Sequence, residues 1–368
     1  MAEFDAELCS DPLDRAVAIA TGKAAEDWLT ELRFNSRRLK TAIDFPVVSV
    51  RQCAAIEWGL GNDAVEILRY FVWLASGCLT TAFIMTQRNA ALRRIESSTN
   101  SLATTALLPA IRTGEAFATV GISHLTTSRK HLSQPPLRAT NRGEQWILNG
   151  YSPWVTGGAY ADRLVVGAVA NGVEGVSSEP LELLFAVDRH QRNVQLDAAE
   201  ELLALSASST GAIRFDEVVI EADRVLHGPV ANVMNASVAK GGSGGAGGLQ
   251  TTALAIGLAI QAIRYLTDQA NQREDLRWVA SEFTNQAHEL LKLLFEAGAG
   301  SAELDLVSFR KSGNDLALKS TQAALAAAKG AGYVNNHDAG RWCTEALFFL
   351  VWSCPQSVIQ SHMCSFVQ

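Results

Sequence analysis

N-G-Y-S-P-W-V-T-G-G, residues 149–158, is the stretch that says most about the fold, and A-Y-A-D-R-L-V-V follows it at 159–166. Trp154 and Thr156 are two residues apart, so on a β-strand their side chains would point to the same face. An aromatic wall and a hydroxyl group on one face suit a planar ring that makes hydrogen bonds. The stretch therefore predicts a strand that contacts a flavin. A core aromatic beside an ordinary β-forming threonine is the alternative interpretation.

Helical and strand-like patterns alternate along the chain on either side of this stretch. Between Cys53 and Ile95, apolar residues recur at spacings of three and four, which is typical of helices. From Ala116 to about Pro229, short apolar runs are separated by Gly, Pro, Asn and Ser, which predicts a β domain. Helical patterns dominate again after the glycine-rich tract at 240–248. We therefore expect three domains, at 1–113, 114–230 and 231–368.

The composition argues against several classes of protein. The chain has 368 residues, 48% of them apolar, and a formal net charge of −7 without a basic cluster, so neither nucleic acid nor an anionic membrane is an expected partner. No uncharged apolar run reaches the roughly 18 residues of a membrane-spanning helix, and the first residues lack a basic signal region, so we expect a cytoplasmic protein. The six cysteines and seven histidines show no metal-ligand spacing, so we expect free thiols and no metal.

Two motifs, together with the α-β-α order, resemble those of the acyl-CoA dehydrogenase superfamily. The first joins L-N-G at 148–150 to W-V-T-G-G at 154–158 and A-D at 161–162, and is similar to the family pattern G-x-K-x-W-I-T-N/G-G…A-D. The second is S-S-T-G-A-I-R-F-D-E-V-V-I at 208–220, similar to S-x-T-x-x-V-x-F-x-x-V-x-V-P. The resemblance covers nearly the whole chain. It implies an α+β fold with an N-terminal helical domain, a middle β-barrel domain and a C-terminal four-helix bundle, together with bound FAD and a homodimer or homotetramer.

The resemblance also implies roles for residues near a flavin. In such enzymes the tryptophan at the Trp154 position packs against the flavin ring, and the threonine at the Thr156 position hydrogen-bonds near the ring atom that accepts hydride. The loop F-A-T-V-G-I-S-H-L-T-T-S at 117–128 stands where the family has T-E-P-x-A-G-S-D, whose backbone amides bind the pyrimidine edge of the flavin. Backbone contacts do not depend on side chains, so three residues of this loop stay candidates: Val120, Gly121 and Ser123.

A further segment, A-A-A-K-G-A-G-Y at 326–333, resembles the family pattern Q-x-x-G-G-x-G-Y/F, which approaches the ADP half of FAD. Gly330 and Gly332 keep the pattern, whereas Lys329 replaces the first glycine. This lysine could contact a phosphate or be a solvated residue at a helix end. In this family a segment of the neighbouring subunit also contacts the ADP half of FAD. Arg273 is the candidate for that contact here. FAD is therefore the expected cofactor, with FMN as the less favoured alternative.

The glutamate that removes the α proton in this family has no counterpart here. An ungapped match brings the family's Y-E-G-T onto W-S-C-P at 352–355, so the glutamate position is Ser353. The alternative position in some relatives falls in the glycine run at 244–248. A serine without an adjacent general base is too weak a base to remove such a proton. Cys354 could remove it as a thiolate, or it could be a small buried residue that only fills space in the core. His124 could be an acid, a base or a hydrogen-bond donor to substrate, or a satisfied structural group.

Three functions stay open on these observations. The favoured one is a flavin-dependent dehydrogenase that removes hydride from an acyl thioester or a related substrate with a relocated base, because Trp154 and Thr156 are kept. Acyl-CoA is the small-molecule partner expected for it. The second is an oxidase or monooxygenase on the same scaffold, for which the glutamate is unnecessary. The third is a relative without catalytic activity that binds a flavin, an acyl ligand or a partner protein.

Overall fold

The computed structural model describes residues 4, 7–126, 135–171, 180–236, 248–301, 304–353, 356–365 and 367. Polar side chains cap several helices of the first segment: Ser10, Asp63 and Asn100 accept hydrogen bonds from backbone N–H groups in the first turn that follows each of them. These bonds satisfy donors that a helix leaves unpaired at its start. The helices of this segment are α1 (Asp11–Thr21), α2 (Ala25–Ser36), α3 (Val47–Leu60), α4 (Ala64–Ala75), α5 (Leu79–Glu96) and α6 (Ser101–Thr113).

The middle segment forms one eight-stranded sheet. Its strands are β1 (Ala118–Gly121), β2 (Leu137–Arg142), β3 (Gln145–Val155), β4 (Arg163–Asn171), β5 (Glu182–Asp188), β6 (Val194–Leu196), β7 (Gly211–Glu221) and β8 (Val225–Val230), with the short helix α7 (Ser123–Thr126) after β1. The order across the sheet is β6-β7-β3-β2-β4-β5-β8, and β1 pairs with β4 in parallel. The long antiparallel pair β3 and β7 joins the two motifs on which the family resemblance rests.

The sheet does not form the β-barrel that the resemblance implies. Within the described residues the path of strands ends at β6 and β8, which do not pair with each other, so the sheet is open. Closure would need backbone hydrogen bonds between the two end strands. Backbone carbonyls of β8 are bonded to the helical segment instead: the Ser98 hydroxyl donates to Leu226 O at 2.7 Å, and the Asn100 amide donates to Val225 O at 3.0 Å. The helices thus cover the edge that a barrel would close.

The last segment is helical, as its pattern predicts. It contains α8 (Val233–Ala236), α9 (Leu249–Ala270), α10 (Arg277–Gly298), α11 (Leu306–Gly332), α12 (Asp338–Leu347) and α13 (Gln356–Ser365). Helix α9 is buried over most of its length and packs on α4, α10 and α11. Gly257 permits the close approach of α9 to α4, because a Cβ atom there would lie 2.5 Å from the carbonyl oxygen of Val72.

One apolar core runs through the first and last segments. The helices that precede the sheet in sequence therefore pack against those that follow it. A second core lies between helices α5 and α6 and strands β1, β4, β5 and β8, and a third lies within the sheet. None of the helices in the described parts of the chain is long and apolar enough to cross a membrane. In the same residues, no group of three or more His, Cys, Asp and Glu side chains could hold a metal ion.

Candidate active site

A cavity of about 1000 Å³ lies where the two helical segments meet the sheet. Its walls come from α4 and α5, from β1 and the end of β3, from the first turn of α9, from the end of α10, and from the chain that follows α12. Segments far apart in sequence therefore share one space. Five of the residues singled out from the sequence line it: Val120, Ser123, Trp154, Thr156 and Ser353.

The wall on the sheet side combines an aromatic surface with a chain of hydroxyl groups. Trp154 is 45% exposed, which is high for a tryptophan, and the exposed part faces the cavity. Thr156 is 4% exposed, and its Oγ1 accepts a hydrogen bond from Thr210 Oγ1 at 3.1 Å. Ser208 Oγ lies 2.8 Å from Thr210 Oγ1, and Thr119 Oγ1 donates to the carbonyl of Thr156 at 2.8 Å. These bonds fix the Thr156 side chain at the wall.

The turn after β3 depends on a glycine. Gly157 has φ 65°, in the left-handed region, and a Cβ atom there would lie 2.9 Å from the rings of Phe45 and Phe117. Its N–H group donates to the carbonyl oxygen of Ser208 at 2.9 Å, which holds the two motif segments together. The W-V-T-G-G pattern thus sets both the aromatic wall and the turn that orients it.

Strand β1 contributes Val120 to the cavity wall and the start of α7 contributes Ser123, whereas Gly121, the last residue of β1, does not line the cavity. The hydroxyl oxygen of Ser123 is buried and makes no hydrogen bond to any residue that the structure describes. Gly121 packs on the sheet instead, since a Cβ atom there would lie 2.8 Å from Ser152 Oγ. His124 is buried away from the cavity, and its Nε2 lies 2.8 Å from the carbonyl oxygen of Gly167, to which it donates. Burial lowers the pKa of His124, so the geometry matches the structural interpretation of this residue.

The wall on the helical side is aromatic. The rings of Phe348 and Trp352 stack at a centroid distance of 5.2 Å, and Phe83 on α5 meets them edge-on at 4.9 and 5.0 Å. Ser353 follows Trp352 with φ 46° and lines the cavity. The position matched to the family's glutamate therefore does face this space. Cys354, the other candidate on this segment, lies outside the described residues.

Charge on the wall is entirely positive within the described residues: Arg93 and Arg94 line the cavity, and neither Asp nor Glu does. A buried carboxylate lies behind the wall. Glu57 accepts a hydrogen bond from Arg88 Nη1 at 2.9 Å and another from the Asn89 amide. Asn89 does line the cavity, and its Oδ1 accepts from Arg93 and from Gln250, each at 2.9 Å. Glu57 therefore orients wall residues and is itself neutralised by an arginine.

The four residues matched to the ADP-binding segments lie elsewhere and do not line the cavity. Arg273 donates from Nη1 to the carbonyl oxygen of Ala327 at 2.8 Å and pairs with Asp275 at 3.0 Å. Lys329 interrupts α11 with φ 53° and ψ −147°, a conformation that glycine adopts readily and lysine does not. Arg273 and Lys329 therefore lie near one another at the C-terminal end of α11, together with the exposed Gly330 and the buried Gly332.

Several wall residues were not singled out from the sequence. Thr210 belongs to the S-S-T-G motif and could have been found there. Arg94 and the aromatic side chain of Phe83 had no such signal, because a basic residue or an apolar ring on a helix is also typical of a solvated face or an ordinary core.

Comparison with known proteins gives a consistent picture. No family model matches the sequence. The chain is similar to a probable acyl-CoA dehydrogenase of Mycobacterium leprae, with 24% identity over 255 residues. The match covers 65% of this chain and 64% of that protein, so the chain spans slightly less than two thirds of this curated relative.

Solved structures resemble the chain over almost its whole length. Butyryl-CoA dehydrogenase from Megasphaera elsdenii superposes with a TM-score of 0.79 at 15% identity, covering 98% of this chain and 99% of that one. A glutaryl-CoA dehydrogenase from Mycobacterium smegmatis in complex with FADH2 gives 0.76 at 16% identity, with 98% and 96% covered. Dibenzothiophene monooxygenase from Paenibacillus sp. A11-2 gives 0.72 at 16% identity, with 91% and 92% covered. At these identities the likeness shows the fold, and this fold is shared by dehydrogenases and a monooxygenase.

Proposed function

Because the chain belongs to the acyl-CoA dehydrogenase superfamily, we propose that it is a flavin-dependent oxidoreductase that removes hydride from an acyl thioester or a related substrate to FAD. One observation carries the proposal. Trp154 and Thr156 line the same cavity as Ser353, which matches the family's catalytic position from the opposite end of the chain. Local sequence similarity does not require these segments to meet, so their meeting supports a common site.

The residues on the sheet side fit the ring system of a flavin. Trp154 offers a half-exposed aromatic face, which suits a planar ligand. The buried hydroxyl oxygen of Ser123 lacks a partner among the described residues, and a ligand with polar ring edges would supply one. Thr156 presents a hydroxyl group held by Thr210. When bound, the flavin supplies the acceptor for the hydride.

The rest of the cavity fits an acyl group. The rings of Phe83, Phe348 and Trp352 provide an apolar wall that excludes water from the reacting carbons. For the ADP half of FAD we propose the C-terminal end of α11, with Lys329, Gly330 and Gly332, together with Arg273. In the resembling enzymes a neighbouring subunit completes this region, so we also propose a homodimer or homotetramer.

The order of helices and strands along the chain supports three domains. We propose domains at 1–113, 114–230 and 231–368, with the last arranged as a four-helix bundle. The helices before Ala118, the strands from there to Val230, and the helices from Val233 onward support these limits.

An oxidase or monooxygenase is the second candidate, and one observation favours it. No carboxylate lines the cavity in the parts of the chain that the structure describes, so the wall offers no counterpart of the family's base. A reaction that does not begin with removal of an α proton avoids this requirement. A structural likeness to a monooxygenase supports the same alternative.

Visible spectra separate these candidates. We expect the purified protein to carry flavin absorbance, or to acquire it when FAD is added, and to lose it anaerobically when an acyl-CoA is added. Reduction by NADH with a flavin reductase, but by no acyl-CoA, would favour the second candidate. A protein that neither carries nor takes up a flavin would refute both.

Two substitutions test the flavin wall directly. We expect Trp154→Ala and Thr156→Val each to weaken flavin binding by about tenfold, because each removes one ring contact or one hydrogen bond. Trp278→Ala is the matched control, since Trp278 is 75% exposed and lies outside the cavity. Equal flavin affinities in all three variants would refute the assignment of the wall.

A further inference from the structure

Arg94 is a buried arginine on the cavity wall. It is 5% exposed and lies on α5, one turn after Ala90, which also lines the cavity. Its Nη1 donates to the carbonyl oxygen of Ala90 at 2.9 Å, and this is the hydrogen bond that its side chain makes to the described residues. Its Nε is buried without any partner in that part of the chain.

No carboxylate among the described residues compensates this charge. Two other buried arginines have acidic partners: Arg88 pairs with Glu57 at 2.9 Å, and Arg341 pairs with Glu345 at 2.8 Å. Arg94 makes no ion pair with any residue that the structure describes. The stretches at 127–134 and 237–247, which adjoin cavity residues in sequence, contain neither Asp nor Glu.

A guanidinium that has no carboxylate partner among the described residues is energetically unfavourable in this buried position. Burial lowers the pKa of Arg94 to about 10, because the charged form has lost water and gained no anion. Guanidinium groups bind carboxylates and phosphates through parallel N–H donors, and such bonds strengthen where water is excluded. The second positive charge, on Arg93, adds to the same potential on the wall.

We propose that Arg94 binds an anionic group of the substrate inside this cavity, a carboxylate or a phosphate. The proposed function supplies one part of this proposal, namely that the rest of the substrate is a thioester. It narrows the substrate class to molecules that carry a negative charge, because the described residues of the wall include no Asp or Glu. The anion has two chemical sources, a carboxylate on the acyl group or the phosphates of CoA.

Four thioesters distinguish these sources in calorimetric titrations of the full-length protein as purified. They are butyryl-CoA, glutaryl-CoA, and the butyryl and glutaryl esters of N-acetylcysteamine, of which only butyryl-N-acetylcysteamine has no anionic group. We expect at least one anionic thioester to bind about 30-fold or more tightly than this neutral one. A preference for glutaryl-N-acetylcysteamine identifies an acyl carboxylate, and a preference for both CoA esters identifies the phosphates.

The variant Arg94→Gln is expected to abolish that preference while it leaves the affinity for butyryl-N-acetylcysteamine within about twofold. Arg94→Lys should retain part of it, because the charge stays and the planar fork is lost. Arg38→Gln is the matched control, since Arg38 is exposed, packs on the Phe34 ring and lies outside the cavity. An unchanged preference in Arg94→Gln, or an equal loss for neutral and anionic esters, would overturn the proposal.

Failure of the proposed function would be recognised separately. If the wild type binds no thioester, inorganic phosphate and free glutarate are titrated instead. Binding of either that is lost in Arg94→Gln and kept in Arg38→Gln supports the anion site on its own, and no binding to wild type overturns it. If Arg94→Gln loses bound flavin and keeps its thioester preference, the anion belongs to the cofactor and the proposal is wrong.

Discussion

Two buried arginines on helix α5, six residues apart, should lose very different amounts of stability on the same substitution. Arg88 is 1% exposed, and it bonds to Glu57, to the carbonyl of Ile111 at 2.5 Å and to that of Arg112 at 3.3 Å. Replacing it with methionine leaves a buried carboxylate without its cation and two carbonyl oxygens without a donor. We expect Arg88→Met to lower the free energy of unfolding by about 3–5 kcal/mol.

Arg94→Met should change the free energy of unfolding by less than about 1 kcal/mol in either direction. The substitution loses one hydrogen bond to a carbonyl, which contributes about 1 kcal/mol, and removes a charge that burial disfavours. No acidic partner in the described residues is left unpaired. The difference between the two variants therefore measures whether each guanidinium has an intramolecular counter-charge.

Urea unfolding, followed by both far-ultraviolet circular dichroism and tryptophan fluorescence, gives the free energies, and coincidence of the two signals tests the two-state assumption. Arg38→Met is the exposed control. In the Arg88→Met background, Glu57→Gln should recover part of the loss, because the unpaired charge is removed. A loss in Arg94→Met equal to that in Arg88→Met would refute the reasoning, as would a loss below about 1 kcal/mol in Arg88→Met.

Three further substitutions test local geometry by the same unfolding measurement. Lys329→Gly should stabilise the protein by about 1 kcal/mol, because relief of the left-handed backbone exceeds the added chain entropy, whereas Lys292→Gly, inside α10, should destabilise it by about 1 kcal/mol. A loss of stability in the first variant would contradict the assigned backbone. Gly257→Ala should cost about 1–3 kcal/mol, because the new methyl group meets a backbone carbonyl that cannot yield, and a neutral result would contradict the close packing of α9 on α4. Burial holds the pKa of His124 below its usual 6.5, so between the two values the unfolded chain binds more protons than the folded one and stability falls as pH is lowered through that range. His124→Gln should flatten this dependence; a slope equal to that of the wild type would count against the burial of His124.

Much of the architecture could be predicted from local patterns. Apolar spacing predicted the helices on both sides of the sheet, and short apolar runs between turn residues predicted its strands, because helix and strand periodicities are properties of neighbouring residues. Whether the sheet closes was beyond such patterns. Closure depends on how β8 meets Ser98 and Asn100 of the helical segment, and those contacts join positions more than 120 residues apart.

The candidate site divides in the same way. The sequence alone predicted Trp154 and Thr156 on one strand face, since two-residue spacing sets the direction of a strand's side chains. In the structure β3 ends at Val155, and both side chains line the same cavity. Only folding brings that face to the cavity that Ser353 shares, turns His124 toward the Gly167 carbonyl, and leaves Arg94 buried without an acidic partner in the described residues. The direction of a side chain follows from its own backbone, whereas its solvation and its counter-charges are set by whatever distant segments pack against it.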